Sequence, residues 1–428
     1  MKITLLSSSD SQGGAAIAAK RILKALNGSK TKFDLSVEMI VRHQSDLNDN
    51  LVSPVNQLKR FISEKVHLRF VLEKLIFDSR YILKKFRFSF STGKFGFPAE
   101  KNVKVKNSDI LHFQWINNSF LSLKSIQKLL SSGKPIVWTL HDMWAFTGGC
   151  HYSGNCVNYK DSCGNCLFLR NPDSHDLSFR IHGKKQKAYN NANLHIVTCS
   201  QWLAEKAKES SLLKNKSISV IPNPIDSEIF SPQNKINGRD HFHLPQEKFL
   251  LLFGAVNVND ERKGLKFLLE SMSLLASSNP DNAEKIELVI VGKNKSEGFS
   301  VQNFKIHDVG TISSEIEMAI LYSACDVFVI PSLEDNLPNT IMESMSCGTP
   351  VVGFDSGGIP EMIQHLKTGY LAKSKSSEDL AEGIKWMINS ENRKMASEAS
   401  RNFVLENYSE KIIAKKYFDL YQSILDKK

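Results

Sequence analysis

Apolar residues in this chain gather into short runs separated by longer amphipathic stretches, and the alternation repeats from end to end. Ile3–Ser7, Phe33–Val41, Asp109–Phe113, Ile136–Leu140, Leu194–Cys199 and Ser217–Ile221 read as buried strands. Between them, Ala15–Leu26, Leu121–Ser131 and Phe179–Tyr189 carry apolar residues at three- and four-residue spacing and read as helices, and Ser200 is placed to cap another. The polar tract Asn234–Lys248 interrupts the pattern, which restarts at Phe249–Phe253. Strands are then expected at Ile286–Val291, Asp326–Ile330 and Val351–Phe354. Helices are expected from Gly264, at Ser313–Ala324 and at Thr340–Ser346, with Glu378–Ile388, Glu391–Glu406 and Ser409–Leu425 closing the chain. Strands alternating with helices predict parallel, doubly wound α/β architecture. A chain of 428 residues exceeds one ordinary core, so two such domains are expected, 1–232 and 233–408.

Composition adds little to this picture, and charge adds more. Hydrophobic content is 41% and charged content 23%, ordinary for a globular chain. No apolar run reaches the ~18 residues that a membrane span requires. Met1–Ser7 runs from a single lysine straight into a strand, so no signal peptide is read there and a cytoplasmic protein is expected. The net charge of +10 is concentrated: between Lys59 and Lys94, ten Lys/Arg stand against three acids. In 55–94, Leu58, Phe61, Ile62, Val66, Phe70, Leu72, Leu75, Ile76, Ile82, Leu83 and Phe86 recur at helical spacing, giving basic amphipathic helices. Such a segment is either a surface hairpin or a peripheral contact with anionic membrane. Nucleic acid is disfavoured, because the aromatics are spaced for helix packing and no recognition module is present.

The chemistry-bearing residues follow the strands, where parallel sheets bind ligands. Gly13-Gly14 follow the first strand, and a glycine loop before a helix lets backbone amides approach an anion or a sugar. His141 ends the strand Ile136–Leu140. Arg262 and Lys263 stand beside a helix start, where two cations suit a phosphate or diphosphate. Asp335 and Glu343 lie in the loop and helix after Asp326–Ile330, placed to orient hydroxyl-rich groups. Gly357-Gly358 mirror the first glycine pair. This set suits glycosyl transfer from a nucleotide diphosphate sugar. The cations stabilise the departing diphosphate, and no Asp-x-Asp pair is present to hold a divalent metal, so no catalytic metal is expected. Separately, Cys150-x5-Cys156-x6-Cys163-x2-Cys166 is a cysteine cluster. Structural zinc, an iron–sulfur cluster and free thiols are its readings, with structural zinc expected.

Several stretches together resemble a known family. They are Gln12-Gly13-Gly14-Ala15, Asp109–His112, Trp138–Trp144, Thr147–Tyr152, Asn223–Asp226, Arg262–Gly264, Pro331–Val352 and Gly357–Glu361. On these the chain is similar to the retaining family 4 glycosyltransferases of the GT-B fold, in particular the colanic-acid and exopolysaccharide branch. The resemblance implies two Rossmann-like doubly wound domains facing across a cleft, with 409–428 crossing back to the first domain. It also implies transfer of a hexosyl or N-acetylhexosaminyl group to a lipid-linked saccharide or other glycan. The catalytic set would be His141, Lys263 and Asp335. The donor-binding set would be Gly13, Gly14, Arg262, Lys263, Glu334, Asn336, Leu337, Glu343, Gly357 and Gly358, with Glu343 on the ribose and Asp335 towards the sugar.

This chain departs from the family pattern at three places. The first acid of the family's Glu-x7-Glu pair is Asp335, one methylene shorter, so either Asp335 or the neighbouring Glu334 faces the sugar. Ala255 stands where an arginine is common, and Gln114 where a second histidine follows His112. The competing expectation is a GT-B-like donor-binding scaffold with a decayed site. A phosphorylase or sugar-phosphate synthase is a further enzyme option.

Overall fold

Strand β1 (Lys2–Ser9) is buried along almost its whole length, as a parallel strand covered by helices on both faces must be. The computed structural model describes residues 1–29, 33–55, 71, 78–86, 88–278, 284–293 and 304–426. Most of the basic helical segment expected at 55–94 therefore lies outside the described residues. From β1 the chain builds β2 (Ser36–His43), β3 (Val52–Pro54), β4 (Ile110–Phe113), β5 (Ile136–Leu140), β6 (Leu194–Thr198) and β7 (Ser217–Val220). These form one sheet in the order β3-β2-β1-β4-β5-β6-β7, every neighbouring pair parallel. The second sheet holds β8 (Phe249–Asn257), β9 (Ile286–Lys293), β10 (Ile306–Asp308), β11 (Val327–Ile330), β12 (Val351–Phe354) and β13 (Gly369–Ala372). Its order is β10-β9-β8-β11-β12-β13, again parallel throughout.

Helices that matter below are α1 (Gly14–Gly28), α2 (Leu123–Leu130), α3 (Leu177–Tyr189), α4 (Leu265–Ser278), α5 (Glu315–Ala324), α6 (Asn339–Ser346) and α7 (Glu410–Leu425). The chain divides into two compact units, Met1–Pro222 with Ile413–Lys428, and Asn223–Ile412. The break falls at the rigid Pro222-Asn223-Pro224 turn, ahead of the polar tract at 234–248. Residues just beyond it belong to the second unit: Ile225 N–H donates to the Tyr408 carbonyl at 2.9 Å, and the Phe230 and Tyr322 rings lie 6.5 Å apart. In the first unit, Ile413, Ala414, Tyr417 and Tyr421 of α7 are buried in one cluster with Ile3, Leu5, Ile22 and Val37. Both units are Rossmann-like, and their sheets reverse strand order between β1 and β4 and between β8 and β11. Ligands of open parallel sheets bind at such switch points, outside the carboxyl ends of the strands. Among the described residues no helix is long and apolar enough to cross a membrane.

Candidate functional site

In the second unit the switch point is assembled by two glycines. After β8, the Asp260 carboxylate accepts a hydrogen bond from Arg262 N–H at 3.0 Å and starts a single turn, Glu261–Lys263. Gly264 follows at φ 72°, and a Cβ there would overlap the Pro331 carbonyl oxygen. Only glycine lets the turn after β8 lie against the start of the loop after β11. Leu333 N–H then donates to the Arg262 carbonyl at 2.8 Å and fastens the two loops together.

The result is a cationic pair on one carboxylate. Lys263 Nζ lies 2.5 Å and Arg262 Nη1 3.7 Å from Asp335 Oδ2. Arg262 Nη1 also donates to the Glu334 carbonyl at 2.7 Å. Burial by itself would raise the Asp335 carboxyl, but Lys263 and Arg262 outweigh it and hold the group below the usual carboxylate range. Asp335 is therefore ionised and already engaged, while Glu334 is half-buried and contributes its backbone. From the other side, Gly358 N–H donates to the Asp335 carbonyl at 2.9 Å. Gly357 has φ 60°, and a Cβ on it would overlap that same carbonyl oxygen. Asn336 and Leu337 are buried in the same loop. Glu343, buried on α6, accepts a hydrogen bond from Tyr322 Oη of α5 at 3.0 Å. The structure thus gathers Arg262, Lys263, Asp335, Gly357 and Gly358, and holds Glu343 through a tyrosine.

A Cβ at Gly357 has neither space nor a favourable φ. Gly357→Ala is expected to destabilise the protein in urea denaturation by more than the ~1–3 kcal/mol of backbone strain alone. Gly310→Ala is the comparison, because φ there is 68° but the surrounding space is open.

In the first unit, Gly13 (φ 89°) opens α1 directly after β1, with no side-chain cap. Gln114 follows β4 and His141 follows β5, and these residues are joined by a buried chain of hydrogen bonds. His141 Nε2 lies 2.9 Å from Gln114 Oε1, and Gln114 Nε2 lies 2.9 Å from His112 Nε2. His112 Nδ1 lies 2.7 Å from Tyr421 Oη, and Thr139 Oγ1 lies 2.7 Å from His112 Nε2 and 3.0 Å from Tyr417 Oη. An amide placed this way accepts from His141 and donates to His112. His141 therefore carries its proton on Nε2 and His112 on Nδ1. Burial lowers both imidazoles, His112 to about 3 and His141 to about 4.

Both are neutral at pH 7, and the linkage has a definite sign. Stability from keeping them neutral is complete above the unfolded imidazole value of ~6.5 and is lost as pH falls towards the folded values. A denaturation series should show stability declining below about pH 6.5, and less steeply in His112→Gln.

Gln114 stood out in the sequence only as a departure from the family pattern, and Tyr322 and the two tyrosines of α7 were not singled out from it. Nor was Asn117, which is buried beside Gln114 and His141. Its Oδ1 has no hydrogen-bond partner among the described residues. Asp142 anchors the same region, accepting from Trp115 Nε1 at 2.7 Å and from Trp144 N–H at 2.8 Å, and pairing with His151 Nδ1 at 2.6 Å.

The zinc expectation finds no support among the described residues. Cys150, Cys156, Cys163 and Cys166 line one cavity of about 20 Å³, yet among the described residues no group of three or more His, Cys, Asp or Glu is arranged to hold a metal ion. The four thiols share a wall without forming a ligand set. Burial pushes Cys163 up to about 12 and Cys166 up to about 11, which favours protonated thiols in this arrangement.

Known glycosyltransferases are similar to this chain in sequence and in fold. The family model "Glycosyltransferase Family 4" matches residues 63–229, and "Glycosyl transferases group 1" matches 237–403. The putative colanic acid biosynthesis glycosyl transferase WcaC of Escherichia coli is 26% identical over 284 residues, covering 64% of this chain and 65% of that protein. Among solved structures, sucrose-phosphate synthase from Thermosynechococcus elongatus is similar with a TM-score of 0.67 at 17% identity, covering 100% of both chains. Anabaena Alr3699/HepE in complex with UDP is similar with a TM-score of 0.63 at 16% identity, covering 99% of this chain and 100% of that one. The chain spans roughly half the length of the first curated relatives it matches, 52% and 42%. Two parallel Rossmann-like units give the chain the GT-B fold, and two glycosyltransferase family models, one on each unit, make it similar over most of its length to the glycosyltransferases of that fold.

Proposed function

We propose that this protein is a retaining glycosyltransferase that moves a hexosyl or N-acetylhexosaminyl group from a nucleotide diphosphate sugar to a lipid-linked saccharide or other glycan of a bacterial surface polysaccharide. The observation that carries the reading is the Lys263–Asp335–Arg262 cluster at the β8/β11 switch point, two cations held where a diphosphate would leave. In this reading the bond from the anomeric carbon to the diphosphate oxygen breaks as the acceptor oxygen bonds on the same face. The acceptor's proton passes to the departing phosphate. Arg262 and Lys263 take up the charge that develops on that phosphate. Glu343, fixed by Tyr322, orients the ribose, and Asp335, fixed through its carbonyl by the Gly357-Gly358 loop, orients the sugar. His141 donates from Nε2 in the structure and offers a neutral imidazole to the sugar.

Relatives support the polysaccharide context. Besides WcaC, an N-acetylgalactosaminyltransferase of Campylobacter jejuni named for a diphospho-undecaprenol acceptor is 30% identical over 171 residues.

Turnover with a panel of nucleotide diphosphate sugars and membrane lipid extract tests the reading, with the anomeric configuration of the product read by NMR. Retained configuration is expected, and inversion would overturn the retaining assignment. The alternative of a donor-binding scaffold has in its favour that Asp335 is already ion-paired. It predicts a raised thermal midpoint with nucleoside diphosphate but no release of sugar from any donor.

A further inference from the structure

Away from both switch points, the first unit carries a cavity of about 440 Å³, a size typical of small-molecule sites. Leu177, Ile181, Lys184 and Lys187 reach it from one face of α3, while Leu123, Lys124 and Gln127 reach it from the first turns of α2. Thr92-Gly93-Lys94 close the third side. Gly93 is required there: its φ is 62°, and a Cβ would sit 3.0 Å from Leu123 Cγ and 3.2 Å from the Trp144 ring. The floor is thus apolar and the rim carries Lys94, Lys124, Lys184 and Lys187. No acidic side chain lines the cavity among the described residues. The first turn of α2 holds no acid either, so its helix dipole adds to the positive potential. Among the described residues no aromatic ring lines the cavity to stack a base, which favours an anion without a base over a nucleotide.

A second observation concerns the adjoining segments. Leu83 N–H donates to the Phe168 carbonyl at 3.0 Å and Arg170 N–H to the Tyr81 carbonyl at 2.8 Å, and the Phe86 and Phe168 rings lie 4.5 Å apart, so the chain at 81–83 runs antiparallel beside 168–170. Flanking this pairing, Phe88 is 77% and Leu167 75% exposed, with Lys84 and Lys85 close by in sequence to Phe88. Large apolar side chains standing in solvent beside lysines are costly in water and suited to the headgroup boundary of a bilayer.

We propose that this face of the first unit docks on an anionic bilayer, with Phe88 and Leu167 entering the interface and a phospholipid headgroup phosphate seated in the lysine-rimmed cavity. Lysine-rimmed space alone would suit free phosphate equally; the exposed apolar pair commits the site to lipid.

Sedimentation with phosphatidylcholine vesicles, with and without phosphatidylglycerol, tests it on the full chain. Binding is expected only with phosphatidylglycerol and is expected to fall with added salt. Lys184→Glu with Lys187→Glu should weaken it roughly tenfold or more. Phe88→Ser with Leu167→Ser should weaken it independently. Equal binding to both vesicle types, wild-type binding by the lysine variant, or full displacement by inorganic phosphate would overturn the proposal, the last pointing to a free-phosphate site. The thermal shift given by a nucleoside diphosphate, measured on the same variants, reports folding and donor binding separately. Failure of the lipid site is thereby distinguishable from failure of the transfer reading.

Discussion

Replacing Lys263 with alanine is expected to lower glycosyl transfer by on the order of 10²–10³-fold, the loss typical of removing one preorganised group that stabilises developing charge. The ammonium is held 2.5 Å from Asp335 and on a turn that Gly264 and the Leu333–Arg262 hydrogen bond keep in place, so it costs no reorganisation when the diphosphate departs. The loss should fall mainly in kcat, because Arg262 remains to bind the donor in the ground state. Lys263→Arg should recover part of the rate, since the charge is kept while the point geometry is not.

The same substitution has a stability signature. Asp335 is held ionised below its ordinary range, so its contribution is present above the unfolded carboxyl value near ~4 and is lost as pH falls through the lower folded value. Without Lys263 the acid end of the stability profile should therefore become shallower. An unchanged profile and unchanged kcat would together remove the cluster from the mechanism.

His141→Ala is the second substitution with a large expected effect, a loss of roughly 10²–10⁴-fold in turnover if the imidazole acts on the reacting sugar. Gln114→Leu should cost less, about 10–100-fold, by releasing His141 from the partner that fixes its tautomer. Because burial holds His141 near 4, the wild-type rate should show no imidazole inflection between about pH 5 and 8. Gln114→Leu should bring one into that range if the freed ring becomes solvated. A structural role for Gln114 would lower stability without moving the pH profile, which separates the two cases.

Much of this was legible in the sequence, and the gaps have physical causes. Ten strands were foreseen from apolar runs. The three that were not, β3, β10 and β13, are all at sheet edges and three or four residues long. Edge strands are kept short and are only partly covered, so they leave no continuous apolar run to read. Candidate residues in the loops after strands stood out by type and place, as Gly13, His141, Lys263 and Asp335 did. Residues that act by supporting them did not. Tyr322 lies 21 positions from Glu343, and Tyr421 lies 309 from His112. Nothing in local spacing marks such pairs; only the fold brings them together. The cysteines show the opposite case. Their spacing suggested a ligand set, but the loop Thr147–Ser178 places them around a cavity wall instead. Gln114, a departure from the family pattern, proves to be the link between His112 and His141.

The most direct test of the central claim is a structure determined with a nucleotide diphosphate sugar bound. The account predicts the diphosphate within hydrogen-bond reach of Arg262 and Lys263, the ribose on Glu343 and the sugar towards Asp335. A diphosphate seated anywhere that leaves the Lys263–Asp335 pair untouched would contradict it.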